Sequence, residues 1–100
     1  MAIHVPRREA TRGGPFTLLQ NHPNPFRSET TIRYILHSPT HIQLKIVDIH
    51  GREIRTLVEA FQMAGEYDIQ WQVDDLPGGV YFYQLQSGEY AENGKLIISQ

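Results

Sequence analysis

The sequence predicts an all-β chain folded as an antiparallel sandwich of about seven short strands. Two observations carry this reading. From Phe16 onward, apolar and polar residues alternate with period two in run after run. Between the runs stand glycine-bearing turns. A third observation says what must hold the fold together. The 100 residues include no cysteine, so cohesion rests on the packed core alone and thiolate zinc sites are excluded.

The strands follow in order. Thr31 to Leu36 puts Ile32, Tyr34 and Leu36 on one face, and His41 to Ile46 puts Ile42, Leu44 and Ile46 on one face. Residues 53–60 fit neither clean alternation nor a helical stripe, because Ile54, Leu57 and Val58 fall out of phase; the spacing predicts a strand with a bulge. Tyr67, Ile69 and Trp71 then alternate with polar residues, as do Tyr81, Tyr83 and Leu85, and Lys95-Leu96-Ile97-Ile98 supplies a terminal strand. The expected core is Ile32, Tyr34, Leu44, Ile46, Ile69, Trp71, Tyr83, Leu85 and Leu96. Asp48-Ile49-His50-Gly51 is a hairpin turn, with Gly51 where positive φ is needed. Ala64-Gly65-Glu66, Ser87-Gly88-Glu89 and Asn93-Gly94-Lys95 are expected to be turns of the same kind.

Composition narrows the function classes. At 40% hydrophobic and 20% charged the chain is of ordinary globular balance, and its net charge of −2 gives no footing for nucleic-acid binding. Residues 1–14 carry Arg7, Arg8 and Arg12 against Glu9, a sum of +2, which leaves −4 on the remaining residues. This first stretch, with Pro6, Gly13 and Gly14, is expected to be a flexible linker or tail ahead of a domain spanning residues 15–100. No apolar run reaches the roughly 20 residues of a membrane helix. Residues 1–8 lack the apolar segment of a signal peptide, so a targeting signal is expected on a longer parent protein.

Two constellations shape backbone rather than perform chemistry. Pro23-Asn24-Pro25-Phe26 fixes φ at two positions and removes two donors, so it is a rigid lead-in to the first full strand, with Phe26 tucked against the sandwich. In Asp75 to Tyr83, Gly79 and Tyr81 match the corner of immunoglobulin-type sandwiches, where a tyrosine at the start of the sixth strand hydrogen-bonds back to the preceding turn. Tyr83 stands where an antibody domain carries its second cysteine. The five histidines are scattered without ligand spacing, Asp74 and Asp75 fit a turn, and no nucleophile elbow or phosphate loop is present. No catalysis, metal or cofactor is expected.

Five landmarks occur in order: Leu18-Leu19-Gln20-Asn21-His22-Pro23-Asn24-Pro25-Phe26, Thr30-Thr31-Ile32, Asp48-Ile49-His50-Gly51-Arg52, Leu76-Pro77-Gly78-Gly79-Val80-Tyr81 and Lys95-Leu96-Ile97-Ile98. In this order the chain resembles the type A C-terminal sorting domain of the type IX secretion system, a relative of the immunoglobulin-like domain of flagellar hook-capping proteins. Trp71-Gln72-Val73 lacks the Trp-Asp-Gly of the hook-cap branch, and Gln100 stands where many sorting domains end in a basic residue. The resemblance implies an immunoglobulin-like β-sandwich attached to a cargo and exported via the periplasm to the cell surface or medium. It also implies recognition by an outer-membrane translocon and removal by a cell-surface sortase. Pro23, Asn24, Pro25, Phe26, Gly51, Gly79, Tyr81, Lys95, Leu96 and Ile98 are the residues expected to carry recognition or the motif's structure. The terminal strand is expected at a sheet edge, its backbone open to strand addition by a partner or by a second copy in a weak homodimer. The alternative is a structural or adhesive accessory module that binds glycan or protein through one sheet face; a planar row including Phe61, Phe82 or Tyr90 on one face would favour glycan binding.

Overall fold

The computed structural model describes residues 14–99, and all but Gly14 of the expected linker, together with Gln100, lies outside the described residues. Seven strands run in order: β1 (Phe16–Leu18), β2 (Glu29–Leu36), β3 (Thr40–Val47), β4 (Glu53–Gln62), β5 (Gly65–Gln72), β6 (Gly79–Ser87) and β7 (Tyr90–Ile98). They form two antiparallel sheets, β1-β2-β5 and β4-β3-β6-β7, packed as an immunoglobulin-like sandwich.

Alternation places the core. Ile32, Tyr34 and Leu36 of β2 face Ile42, Leu44 and Ile46 of β3, with Phe16, Phe26, Trp71, Tyr81, Tyr83, Leu85, Leu96 and Ile98 completing one buried cluster. Eight of the nine expected core residues are fully buried. Ile69 is only half-buried, because it lies on β5, the outer strand of the narrower sheet, where cover on one side is missing. Burying a side chain the size of Trp71 stabilises so small a domain heavily; truncation to alanine typically costs about 3–5 kcal/mol.

The irregular stretch at 53–60 has a simple cause. The β3–β4 register skips Leu57 between Leu44↔Val58 and Lys45↔Thr56, and skips Ile54 between Ile46↔Arg55 and Val47↔Glu53. Each slip is a bulge, and each extra residue is one of the out-of-phase apolar side chains, which packs against the core. Beyond β4 the chain crosses between sheets. Tyr34 donates to Gln62 Oε1 at 2.7 Å, Tyr67 donates to the Met63 carbonyl at 2.7 Å, and the two rings stack at 5.3 Å.

The β3–β4 turn is organised by one carboxylate. Asp48 Oδ1 accepts the His50 and Arg52 backbone N–H groups, each at 2.9 Å, and Oδ2 accepts Arg52 Nε at 3.0 Å. Gly51 completes the turn at φ 81°. The Asp48 carboxyl is held below its usual range, chiefly by the Arg52 N–H. Asn93-Gly94-Lys95, expected to be a turn, is instead the interior of β7, which pairs with β6 along its whole length. The turn lies earlier, at Gly88-Glu89. Gly94 sits opposite Tyr83, and a Cβ there would overlap the Tyr83 ring. The glycine therefore marks a close approach within a strand, not a reversal.

Candidate functional site, a seam between the first motif and the last strand

Prolines 23 and 25 are exposed, so their contribution is to direct the chain, and both X–Pro bonds are cis. The residues around them are anchored from below. Asn21 and Thr30 are buried polar residues. Asn21 Nδ2 donates to Thr30 Oγ1 at 3.0 Å and to the Pro23 carbonyl at 3.3 Å, and Thr30 Oγ1 donates to the same carbonyl at 2.8 Å. Burial without these partners would cost about 1–3 kcal/mol per group, so the network fixes one path for the chain.

Tyr83 ties this path to the opposite sheet. Its hydroxyl donates to the Leu19 carbonyl at 2.8 Å and accepts the Asn21 backbone N–H at 3.0 Å. Burial pushes the phenol above its ordinary value near 10. Phe26 follows, 4% exposed, its ring 6.1 Å from Trp71.

From that anchorage the segment lies along β7. Phe26 N–H donates to the Ile97 carbonyl at 3.0 Å, and the Phe26 carbonyl accepts Ser99 N–H at 2.7 Å, a parallel bridge to Ile98. The Asn24 side chain extends the contact, with Oδ1 accepting Ile97 N–H at 2.9 Å and Nδ2 donating to the Lys95 carbonyl at 3.2 Å. Gln20 Nε2 donates to that carbonyl as well, at 3.0 Å.

Seven of the ten expected site residues thus meet in one seam: Pro23, Asn24, Pro25 and Phe26 on one side, Lys95, Leu96 and Ile98 on the other. The β6 corner abuts it. Gly79 pairs with Ile98, Tyr81 pairs with Leu96, and Tyr81 donates back to the Pro77 carbonyl at 2.8 Å, as the tyrosine-corner reading expects. Gly79 has φ 146°, a conformation that side chains rarely adopt. Gly51 is not brought to the seam and serves the β3–β4 turn. Sequence reasoning missed Gln20, Ile97 and Ser99 as partners, and missed Gly94 as the clearance for Tyr83. Only the even spacing of Asn24 and Phe26 hinted that both face one neighbour.

One expectation is overturned. β7 is an edge strand, but its outward backbone groups from the Lys95 carbonyl to the Ser99 N–H are already hydrogen-bonded to residues 20–26, so this stretch is not open to strand addition or to a homodimer formed through it. Nor do the aromatics form a row. Phe61 pairs with His41 and Phe82 with Val47, which separates them along β3 by about 20 Å. Tyr90 pairs with the inward-facing Ser87 at the far end of the hairpin. Among the described residues no group of three His, Cys, Asp or Glu side chains gathers to hold a metal.

The fold and the seam define an immunoglobulin-like module whose gathered polar groups secure its own edge rather than surround a substrate. Residues 21–99 match the family of secretion system C-terminal sorting domains, and the chain belongs to that family, the sorting signals of type IX secretion. A member of this family is a sorting signal rather than an enzyme, and its cargo is secreted or held at the cell surface. Comparison with curated proteins and with solved structures returned no match.

Proposed function

We propose that residues 15–100 direct an attached cargo from the periplasm across the outer membrane, through recognition of the folded sandwich by the type IX translocon. Removal by a cell-surface sortase follows in the same reading. The observation that carries it is the seam, in which the first and last landmarks of the family, some 70 residues apart, become one surface. Because the backbone edge of residues 95–99 is occupied, recognition there falls to outward side chains, of which Lys95 is the exposed charged one.

The test is a periplasm-targeted reporter carrying residues 15–100 in a host with a type IX system and in the same host lacking its translocon. The reading predicts reporter at the surface or in the medium of the first host and retention in the second. A folded fusion that stays in the periplasm of both hosts overturns it. Lys95→Glu leaves the core untouched, so lowered export by this variant supports terminal-strand recognition, and unchanged export removes it.

A further inference from the structure

We propose that the Asn24 carboxamide is a peptide-bond surrogate that seals a strand-addition site on β7, and that a second copy of this chain is the ligand the seal excludes. In a parallel ladder one residue takes the carbonyl before and the N–H after its partner. The Phe26 main chain does this about Ile98, bonding Ile97 C=O and Ser99 N–H. Two residues earlier the Asn24 side chain repeats the pattern about Leu96, bonding Lys95 C=O and Ile97 N–H. A side-chain amide presents the same donor and acceptor as a peptide unit, so a turn-rich segment continues a ladder without being a strand.

The other edges carry defences of their own. β4 is bulged twice, β1 has three residues, and β5 presents Glu66 and Asp68. β7, nine residues long and bulge-free in its pairing with β6, is defended by the seal over its C-terminal half, from the Lys95 carbonyl onward. Once opened, each outward residue offers both a donor and an acceptor. Such an array is self-complementary, and a second copy is the partner always present at matching concentration.

The experiment compares the intact chain with Asn24→Ala and Asn24→Asp, reading Ile97 amide exchange by NMR and mass in solution by light scattering across a concentration series. Aspartate keeps the acceptor for Ile97 N–H, so its protection stays near that of the parent chain. Alanine removes it, and exchange rises about tenfold or more, with dimers growing in as concentration increases and Ile97 reprotected within them. An unchanged melting profile of Trp71 emission shows that the variants are folded. Ile97 protection in monomeric Asn24→Ala, at the lowest concentration of the series, equal to the parent's overturns the seal. An exchanging Ile97 in a chain that stays monomeric, or that dimerises with Ile97 still exchanging, overturns the excluded second copy. None of these readouts depends on export, so their failure is distinct from failure of the sorting function.

Discussion

Tyr83→Phe isolates the contact on which the seam is anchored. The change keeps the ring and opens no cavity, and removes one hydroxyl that serves two main-chain groups, Leu19 C=O and Asn21 N–H. Asn21 is 2% exposed, so water does not readily replace the lost partner. Each orphaned group costs about 1–3 kcal/mol, and partial relaxation brings the pair to about 2–4 kcal/mol. In a domain of this size that lowers Tm by roughly 10–25 °C. Tyr81→Phe is the internal comparison, since it loses one bond to a turn carbonyl, worth about 1 kcal/mol. Urea unfolding followed by Trp71 emission reads both, with the slope unchanged in each if only stability moves. The same hydroxyl gives a pH signature. The folded phenol titrates above the unfolded one, so its stabilisation is whole below about pH 10 and is lost as pH rises through the folded value. Tyr83→Phe flattens part of that loss, while Tyr34, pushed up to about 12 by burial, keeps its share. A Tyr83→Phe cost no larger than that of Tyr81→Phe would refute the anchoring role.

Gly94→Ala forces the Tyr83 ring to move and is expected to cost about 1–3 kcal/mol in the urea midpoint, whereas a cost near zero would place Gly94 in an ordinary strand position. Gly79→Val, at φ 146°, is expected to lose about 1–3 kcal/mol and to lower export in step with the folded fraction measured by Trp71 emission. In acid, Asp48 and Asp68 hold depressed pKa values, set first by Arg52 N–H and by the Arg33 hydrogen bond respectively. Their stabilisation is present above the unfolded value near 4 and is lost as pH falls through the folded values. Asp48→Asn is therefore expected to flatten the fall of the urea midpoint as pH drops below the ordinary carboxylate value of about 4; an unaltered slope would leave the Asp48 turn without a charged role.

Much of this was legible because strands have a period. Ile32, Tyr34, Leu44 and Leu85 are buried for no reason beyond alternation, and the lapse of alternation over 53–60 pointed to a bulge, where the structure has two, at Leu57 and Ile54. The corner at Gly79 and Tyr81 was legible from local spacing, since its hydrogen bond spans four residues. The seam was not, because its bonds join residues more than 70 positions apart, and alternation says nothing about which edge a neighbouring loop covers. Gly94 misled for a related reason. Asn-Gly normally signals reversal, and only the ring of Tyr83 on the facing strand reveals the other use of a missing side chain. Family resemblance placed the right motifs at both ends of the domain, and their meeting is a property of the fold.

Hydrogen exchange on the unmodified chain tests the seam most directly. Alternation turns the N–H groups of Ala91 and Asn93 to the same outer edge of β7 as those of Ile97 and Ser99. Only the latter two are met by residues 20–26. The account predicts slow exchange at Ile97 and Ser99 beside fast exchange at Ala91 and Asn93. Equal, fast exchange at all four would mean that the first motif does not close the last strand.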